Sequence, residues 1–294
     1  MNRGTLAVLA AAATGVQVGA AIVATRYVAA DISPASLAFL RYAIGVACLV
    51  PAVAMAARVR FARADILPIA ALGVGQFGIL IALLNYGLQT VPAARGALIF
   101  AAFPLLTLIV AALLGHERVT VRRFAGILAT LLGVFLALSD KLPDGGSIVG
   151  GWSALGGELA ILASAATGAI CSVLYRPYLR RYPTLPVSAF AMAAAAAALL
   201  IPAALDDLTT APAHLSASAW GAIVFIGLSS GSFYVLWLWA LKNIAATRVT
   251  VFLALSPVTA AMLGVALLGE PVTLGMMAGV ICVAAGLWAA GGEG

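Results

Sequence analysis

The sequence predicts an all-α integral membrane fold: ten transmembrane helices in two inverted-topology five-helix repeats. Three observations carry that prediction. Hydrophobic residues fill 64% of 294 positions and charged residues only 9%, with a mean hydropathy of +1.13, whereas soluble domains are about a quarter charged. The apolar runs are long and unalternating. Helices of about 20 apolar residues satisfy their own backbone groups where no water is available, and barrel strands would instead alternate over about ten residues. The third observation is an internal repeat.

A constant shift of 153 residues lays residues 86–120 on residues 239–273. It superposes Arg95 on Arg248, Pro104 on Pro257, Glu117 on Glu270 and Thr120 on Thr273, then Gly126 on Gly279 and Gly133 on Gly286. The same shift carries LAVLAAAATG, starting at Leu6, onto LAILASAATG, starting at Leu159, with eight of ten positions identical. Alanine-rich helices match by chance, but Arg, Pro, Glu and Thr in one register do not. The chain is therefore expected to divide into residues 1–148 and 149–294, with the functional site between the halves.

In order, the ten spans are read as span 1 (5–27), span 2 (34–57), span 3 (67–89), span 4 (92–114), span 5 (121–139), span 6 (155–176), span 7 (185–205), span 8 (218–241), span 9 (247–268) and span 10 (273–290). Span 1 follows Arg3 and reaches Val23, which is too long for a cleaved leader. The loops are short, and the longest, 139–153 and 206–216, have no room for an extramembrane domain. Cys48, Cys171 and Cys282 lie inside apolar runs with no metal or disulfide spacing, so no metal site and no cofactor are expected.

Loop charges set the orientation. With the N-terminus inside, the cytoplasmic loops collect Arg58, Arg60, Arg63, Arg118, Arg122, Arg123, Arg176, Arg180, Arg181, Lys242 and Arg248. The opposite side holds Asp31, Asp140, Lys141, Asp144, Asp206, Asp207 and Glu270. Both termini are thus expected in the cytoplasm, and the formal charge of +6 follows from topology rather than from a nucleic-acid partner. Five helices per half force the two copies to cross in opposite directions. That arrangement puts a pseudo-two-fold axis in the membrane plane and a site near the midplane, exposed alternately to each side. Arg95 and Arg248 should then lie at opposite faces.

The VPAARGALI and IAATRVTVF segments opening spans 4 and 9, followed by GHERVT and GEPVT, resemble the drug/metabolite transporter superfamily in its EamA-type branch. The resemblance covers the whole chain and extends to the bacterial aromatic amino-acid exporters of that branch. It implies export of aromatic and other neutral amino acids, such as methionine, and of related metabolites across the bacterial inner membrane. It also implies a cavity lined mainly by spans 1, 3, 4, 6, 8 and 9. Nucleotide sugars and other small metabolites or drugs are the alternative cargo of the same fold.

Polar and aromatic residues within spans are the site candidates. Gln17 lies mid-span with Thr14 a turn away, and a buried amide there either meets substrate or bonds a neighbouring helix. Gly15 and Gly19 form GxxxG, a close-packing signal. Gln76 and Asn85 on span 3 and Ser230 on span 8 extend the polar set. Ser230, Tyr234 and Trp237 share one helical face, and with Phe100 they would bury an indole or phenyl group. Pro104 and Pro257 interrupt spans 4 and 9 at equivalent points, and with Gly78 and Gly231 they are read as hinge or gate positions. Trp152, Trp220 and Trp239 read as an aromatic belt.

Charges inside spans are few. Glu158, a turn into span 6, is the candidate for proton coupling; Arg41 and Arg95 are assigned interfacial or structural roles because arginine near a helix end snorkels. No arginine or lysine is expected deep in the cavity, which weighs against phosphorylated cargo. Span 1 offers Thr14 and Gln17 where the related exporters of cationic drugs carry an embedded glutamate, so permanent cations are disfavoured. A lipid-modifying enzyme would show clustered His, Asp or Glu at one face, but His116 and His214 fall on opposite sides. A channel or structural subunit would not need two inverted halves. The small-molecule substrate and the bilayer are the expected partners, and the sequence leaves oligomeric state open while being compatible with a monomer.

Overall fold

The computed structural model describes residues 3–56, 59–115, 155–270 and 274–291, with scattered positions between 125 and 136. The rest of span 5, with His116, Glu117, Thr120, Trp152 and Thr273, lies outside the described residues, as do Arg58, Arg118, Arg122, Arg123 and the loop 139–153. Every regular element among the described residues is helical. Among the described residues, eight helices are long and apolar enough to cross a membrane: Arg3–Val28, Pro34–Met55, Arg63–Leu88, Ala93–Leu113, Gly156–Arg181, Thr184–Leu205, Ala217–Asn243 and Ala246–Leu268. They correspond to spans 1–4 and 6–9, and Leu274–Gly291 is span 10.

Local chemistry starts these helices where the apolar pattern begins. Ser33 Oγ accepts the Ser36 N–H at 3.2 Å, and Pro34 occupies the first turn of span 2. Ser216 Oγ accepts the Ala219 N–H at 3.1 Å to open span 8. Both serines satisfy an amide that has no partner inside the helix. Spans 3 and 6 run past the ends that hydropathy indicates, to Arg63 and Arg181. These polar extensions meet. Arg181 Nη1 lies 3.3 Å from each oxygen of Asp65, and the Tyr182 hydroxyl donates to Asp65 Oδ2 at 2.7 Å. A count of apolar residues does not register such pairing, so the expected boundaries fall short there.

Span 1 packs along spans 8 and 9, and span 6 packs along spans 3 and 4. The first helix of each half is thus held by the third and fourth helices of the other, as inverted repeats require. Gly15 and Gly19 make the first contact possible. A Cβ on Gly15 would overlap the Phe252 carbonyl oxygen, and one on Gly19 would stand 2.6 Å from that of Ser256. Large apolar side chains such as Leu9, Val50, Ile79, Ile201, Met262 and Ile281 point outward. Hydrocarbon accommodates that surface and water does not, so the chain is a multi-pass membrane protein.

The halves are tied at both ends. At the end bearing Arg181 and Lys242, the Asp65 cluster joins spans 3 and 6, and within the second half Lys242 donates to the Tyr182 carbonyl at 3.4 Å. At the opposite end Asp207 Oδ2 accepts from the Ser33 N–H at 2.7 Å. There Glu270 also accepts from the N–H groups of Ala93 and Ala94 at 2.8 and 3.3 Å, capping span 4 across the repeat boundary. Arg95 therefore begins span 4 at the Glu270 end, and Arg248 begins span 9 beside Lys242, at the other. Glu270→Gln keeps the size but removes the charge at a helix N-terminus and one acceptor. It should lower stability by about 1 kcal/mol, read as the thermal midpoint of the detergent-purified protein; an unchanged midpoint would remove Glu270 from the ties.

Candidate functional site

Three of the helices around the centre of the molecule are irregular. Span 4 is helical over Ala93–Phe100, turns at Ala101 and Ala102, and resumes over Phe103–Leu113 with Pro104 in its first turn. Span 9 breaks at the corresponding place, where a 3₁₀ turn over Val251–Ala254 separates Ala246–Thr250 from Leu255–Leu268, which contains Pro257. Each proline lacks the N–H that would continue the ladder, and matched interruptions in two halves mark the site in transporter folds. Span 3 widens to a π-helix over Val74–Ile79, a departure common at functional positions, and Gln76 lies in it. Span 8 stays regular over Ala217–Asn243.

Between these helices lies a cavity of about 690 Å³, counting the part open at its mouth. One wall is aromatic. Tyr42 meets Phe77 edge-on at 4.9 Å between ring centroids, Phe77 meets Tyr234 at 4.2 Å, and Phe103 meets Phe100 at 5.5 Å and Trp237 at 6.1 Å. Such edge contacts fix ring orientation as well as burying area. Ile22, Leu80, Ile81, Leu84 and Leu253 add to the apolar lining.

The polar lining is small and specific. Thr14 bonds its own helix, donating to the Ala10 carbonyl at 2.8 Å. Gln17 lines the cavity and also donates through Nε2 to Ser229 Oγ at 3.0 Å, so it both faces the space and joins spans 1 and 8. Gln76 Oε1 and Trp237 Nε1 are buried without a hydrogen-bond partner among the described residues. Ser230 accepts from Arg41 Nε at 2.7 Å, with both residues buried.

Of the sequence candidates, the fold brings Thr14, Gln17, Gln76, Phe100, Ser230, Tyr234 and Trp237 together around this space. Asn85 is elsewhere: it is buried, and its Nδ2 donates to the Pro34 carbonyl at 3.0 Å, fastening span 3 to the start of span 2. Glu158 is buried in the first turn of span 6 and does not line the cavity. At Gly78 a built Cβ would make only ordinary contacts, the nearest being Val74 Cγ1 at 3.6 Å. Gly231 instead permits a close crossing, since its Cβ would lie 2.8 Å from the Gly45 carbonyl oxygen.

Arg41 corrects the expectation of an interfacial role and of a cavity without deep cationic groups. It lies two turns inside span 2, is 8% exposed, and lines the cavity. The signal was present, because an ionisable residue that far into a span is a functional candidate by default. Snorkelling fails here because the side chain turns toward Ser230 rather than along the helix to water. Tyr42 and Phe77 also join the lining without having been singled out.

Comparison with known proteins gives a consistent picture. The sequence model of the EamA-like transporter family matches residues 5–139 and again residues 155–291. An uncharacterized transporter of Archaeoglobus fulgidus is 27% identical over 92% of this chain and 93% of its own length. The uncharacterized transporter YyaM of Bacillus subtilis is 26% identical over 93% and 90%. A probable terminal-alkyne amino-acid exporter of Streptantibioticus cattleyicolor is 29% identical over 77% and 74%. A solved crystal structure, 22% identical, superposes with a TM-score of 0.73 over 97% of this chain and 95% of that chain, which shows the shared fold.

Proposed function

Since this chain belongs to the EamA-like transporter family, with its ten-helix membrane fold in two repeats, we propose that it exports amino acids with aromatic or other neutral side chains. The observation that carries the reading is the cavity's division into a wall of aromatic rings and a few polar groups with buried, unpartnered atoms. Rings bury a phenyl or indole group, and the polar groups orient the α-carbon substituents. The Streptantibioticus relative, named for an amino-acid cargo, supports the same class. The single cation lining the cavity among the described residues matches one carboxylate better than the paired charges of a nucleotide-sugar diphosphate.

Alternating access pivots on the breaks before Pro104 and Pro257, with Gly78 as a further flexible point and Gly231 as the contact on which spans 2 and 8 roll. The basic loops face the cytoplasm, with both termini, at a bacterial inner membrane. With Glu158 away from the lining, transport is downhill and uncoupled. The test is uptake of labelled tryptophan, phenylalanine and methionine into proteoliposomes of the pure protein without an imposed proton gradient. Saturable uptake of the aromatic substrates is expected. Uptake only when a gradient is applied would move coupling to Glu158, and silence under both conditions would overturn the amino-acid reading.

A further inference from the structure

Arg41 is a guanidinium held inside an apolar bundle, and its surroundings do not neutralise it. Its Nε is engaged by Ser230, while no hydrogen bond to its two terminal nitrogens is found among the described residues. No Asp or Glu lines the cavity among the described residues. The nearest compensation is the Tyr42 ring, whose centroid lies 5.7 Å from the guanidinium carbon. A charge buried away from water is costly unless something pairs with it. A structural arginine in such a place would be expected to sit on a carboxylate or a set of carbonyls.

The charge is also unique to one half. Span 7, the counterpart of span 2 in the second half, carries no charged residue over Thr184–Leu205, and the repeat places Ile81 and Leu84 where Tyr234 and Trp237 stand. The pseudo-two-fold axis is therefore broken chemically at the cavity, with one cationic pole and no anionic one among the described residues. The terminal nitrogens of a guanidinium match the two oxygens of a carboxylate, and Ser230 on Nε fixes the fork toward the cavity. An ammonium group entering the same space finds only neutral acceptors such as Gln76 Oε1.

We propose that Arg41, positioned by Ser230, is the carboxylate receptor of this cavity, so that the carrier selects aromatic monocarboxylates and tolerates loss of the amino group. The inference rests on the assignment of the cavity to amino-acid-like cargo, but it makes a different demand: the carboxylate is required and the ammonium is not.

The test is ligand-induced thermal stabilisation of the full-length detergent-purified protein, which needs no transport. The probes are phenylalanine, 3-phenylpropionate, phenylalaninamide and phenethylamine. The two acids are expected to bind within about tenfold of each other, and the amide and the amine about a hundredfold more weakly, as loss of a charged hydrogen-bonded pair implies. Arg41→Gln should remove the preference for acids, Arg41→Lys should restore part of it, and Ser230→Ala should weaken acids without affecting the amide. If the arginine variants fail to fold, the wild-type series and Ser230→Ala decide between the outcomes. Equal binding of acid and amide, or no stabilisation by either acid, would overturn the proposal. Binding of 3-phenylpropionate with none by phenylalanine would leave Arg41's role standing and overturn the amino-acid reading instead.

Discussion

Gly15→Leu is expected to abolish the folded protein, while Gly4→Leu leaves it intact. Both glycines lie on span 1, but a Cβ on Gly4 meets nothing within 4 Å, whereas one on Gly15 overlaps the backbone carbonyl of Phe252. A side chain in the way can change rotamer, but a carbonyl in the 3₁₀ turn of span 9 cannot. Overpacking against movable neighbours costs about 1–3 kcal/mol, and this contact should exceed that range because spans 1 and 9 must separate along their length. Gly19, facing Ser256 one turn further on, would be prised away with it. The measurement is the monodisperse yield of each variant on size exclusion in mild detergent, followed by its thermal midpoint. A Gly15→Leu protein recovered with the wild-type midpoint would refute the packing argument.

Trp237 carries the second large effect, and two substitutions separate its roles. Trp237→Ala removes a ring that is 4% exposed and packs edge-on against Phe103, so both stability and substrate affinity should fall. Truncating a buried aromatic costs about 3–5 kcal/mol of stability, and loss of an anchor that meets the ligand weakens binding by about 2 kcal/mol or more. Trp237→Phe is the sharper experiment. Nε1 has no hydrogen-bond partner among the described residues, so replacing indole by phenyl breaks no internal bond there. The thermal midpoint should stay close to wild type, while KM for uptake rises about tenfold if that N–H donates to substrate. An unchanged KM would confine Trp237 to the wall.

The irregular helices show what the sequence made visible and what it hid. Matched prolines at 104 and 257 could be seen from the repeat alone, and both mark real breaks. The π-helical stretch of span 3 had no such signal: span 8 carries a similar run of glycine and serine and stays regular. Whether a glycine-rich stretch bulges depends on what packs against it. Gly231 is held by the span 2 backbone at Gly45, whereas in the π stretch Gly75 and Gly78 face side chains, of Cys171 and of Val74 and Leu199.

By itself, the sequence determined the fold class and the order of the spans, because these follow from apolar length and a repeat that keeps its register, and it pointed to a candidate site between the two halves. It also indicated most of the polar and aromatic lining, since such residues are scarce in spans and have few places to go. Only the tertiary structure decided which way Arg41 and Asn85 turn. A helix that is apolar all round has no polar face to fix its rotation about its own axis. That rotation is set by close contacts such as Gly45 with Gly227 and Gly231. Through them span 2 presents Arg41 to Ser230 and the cavity, while Asn85 on span 3 reaches the backbone at Pro34.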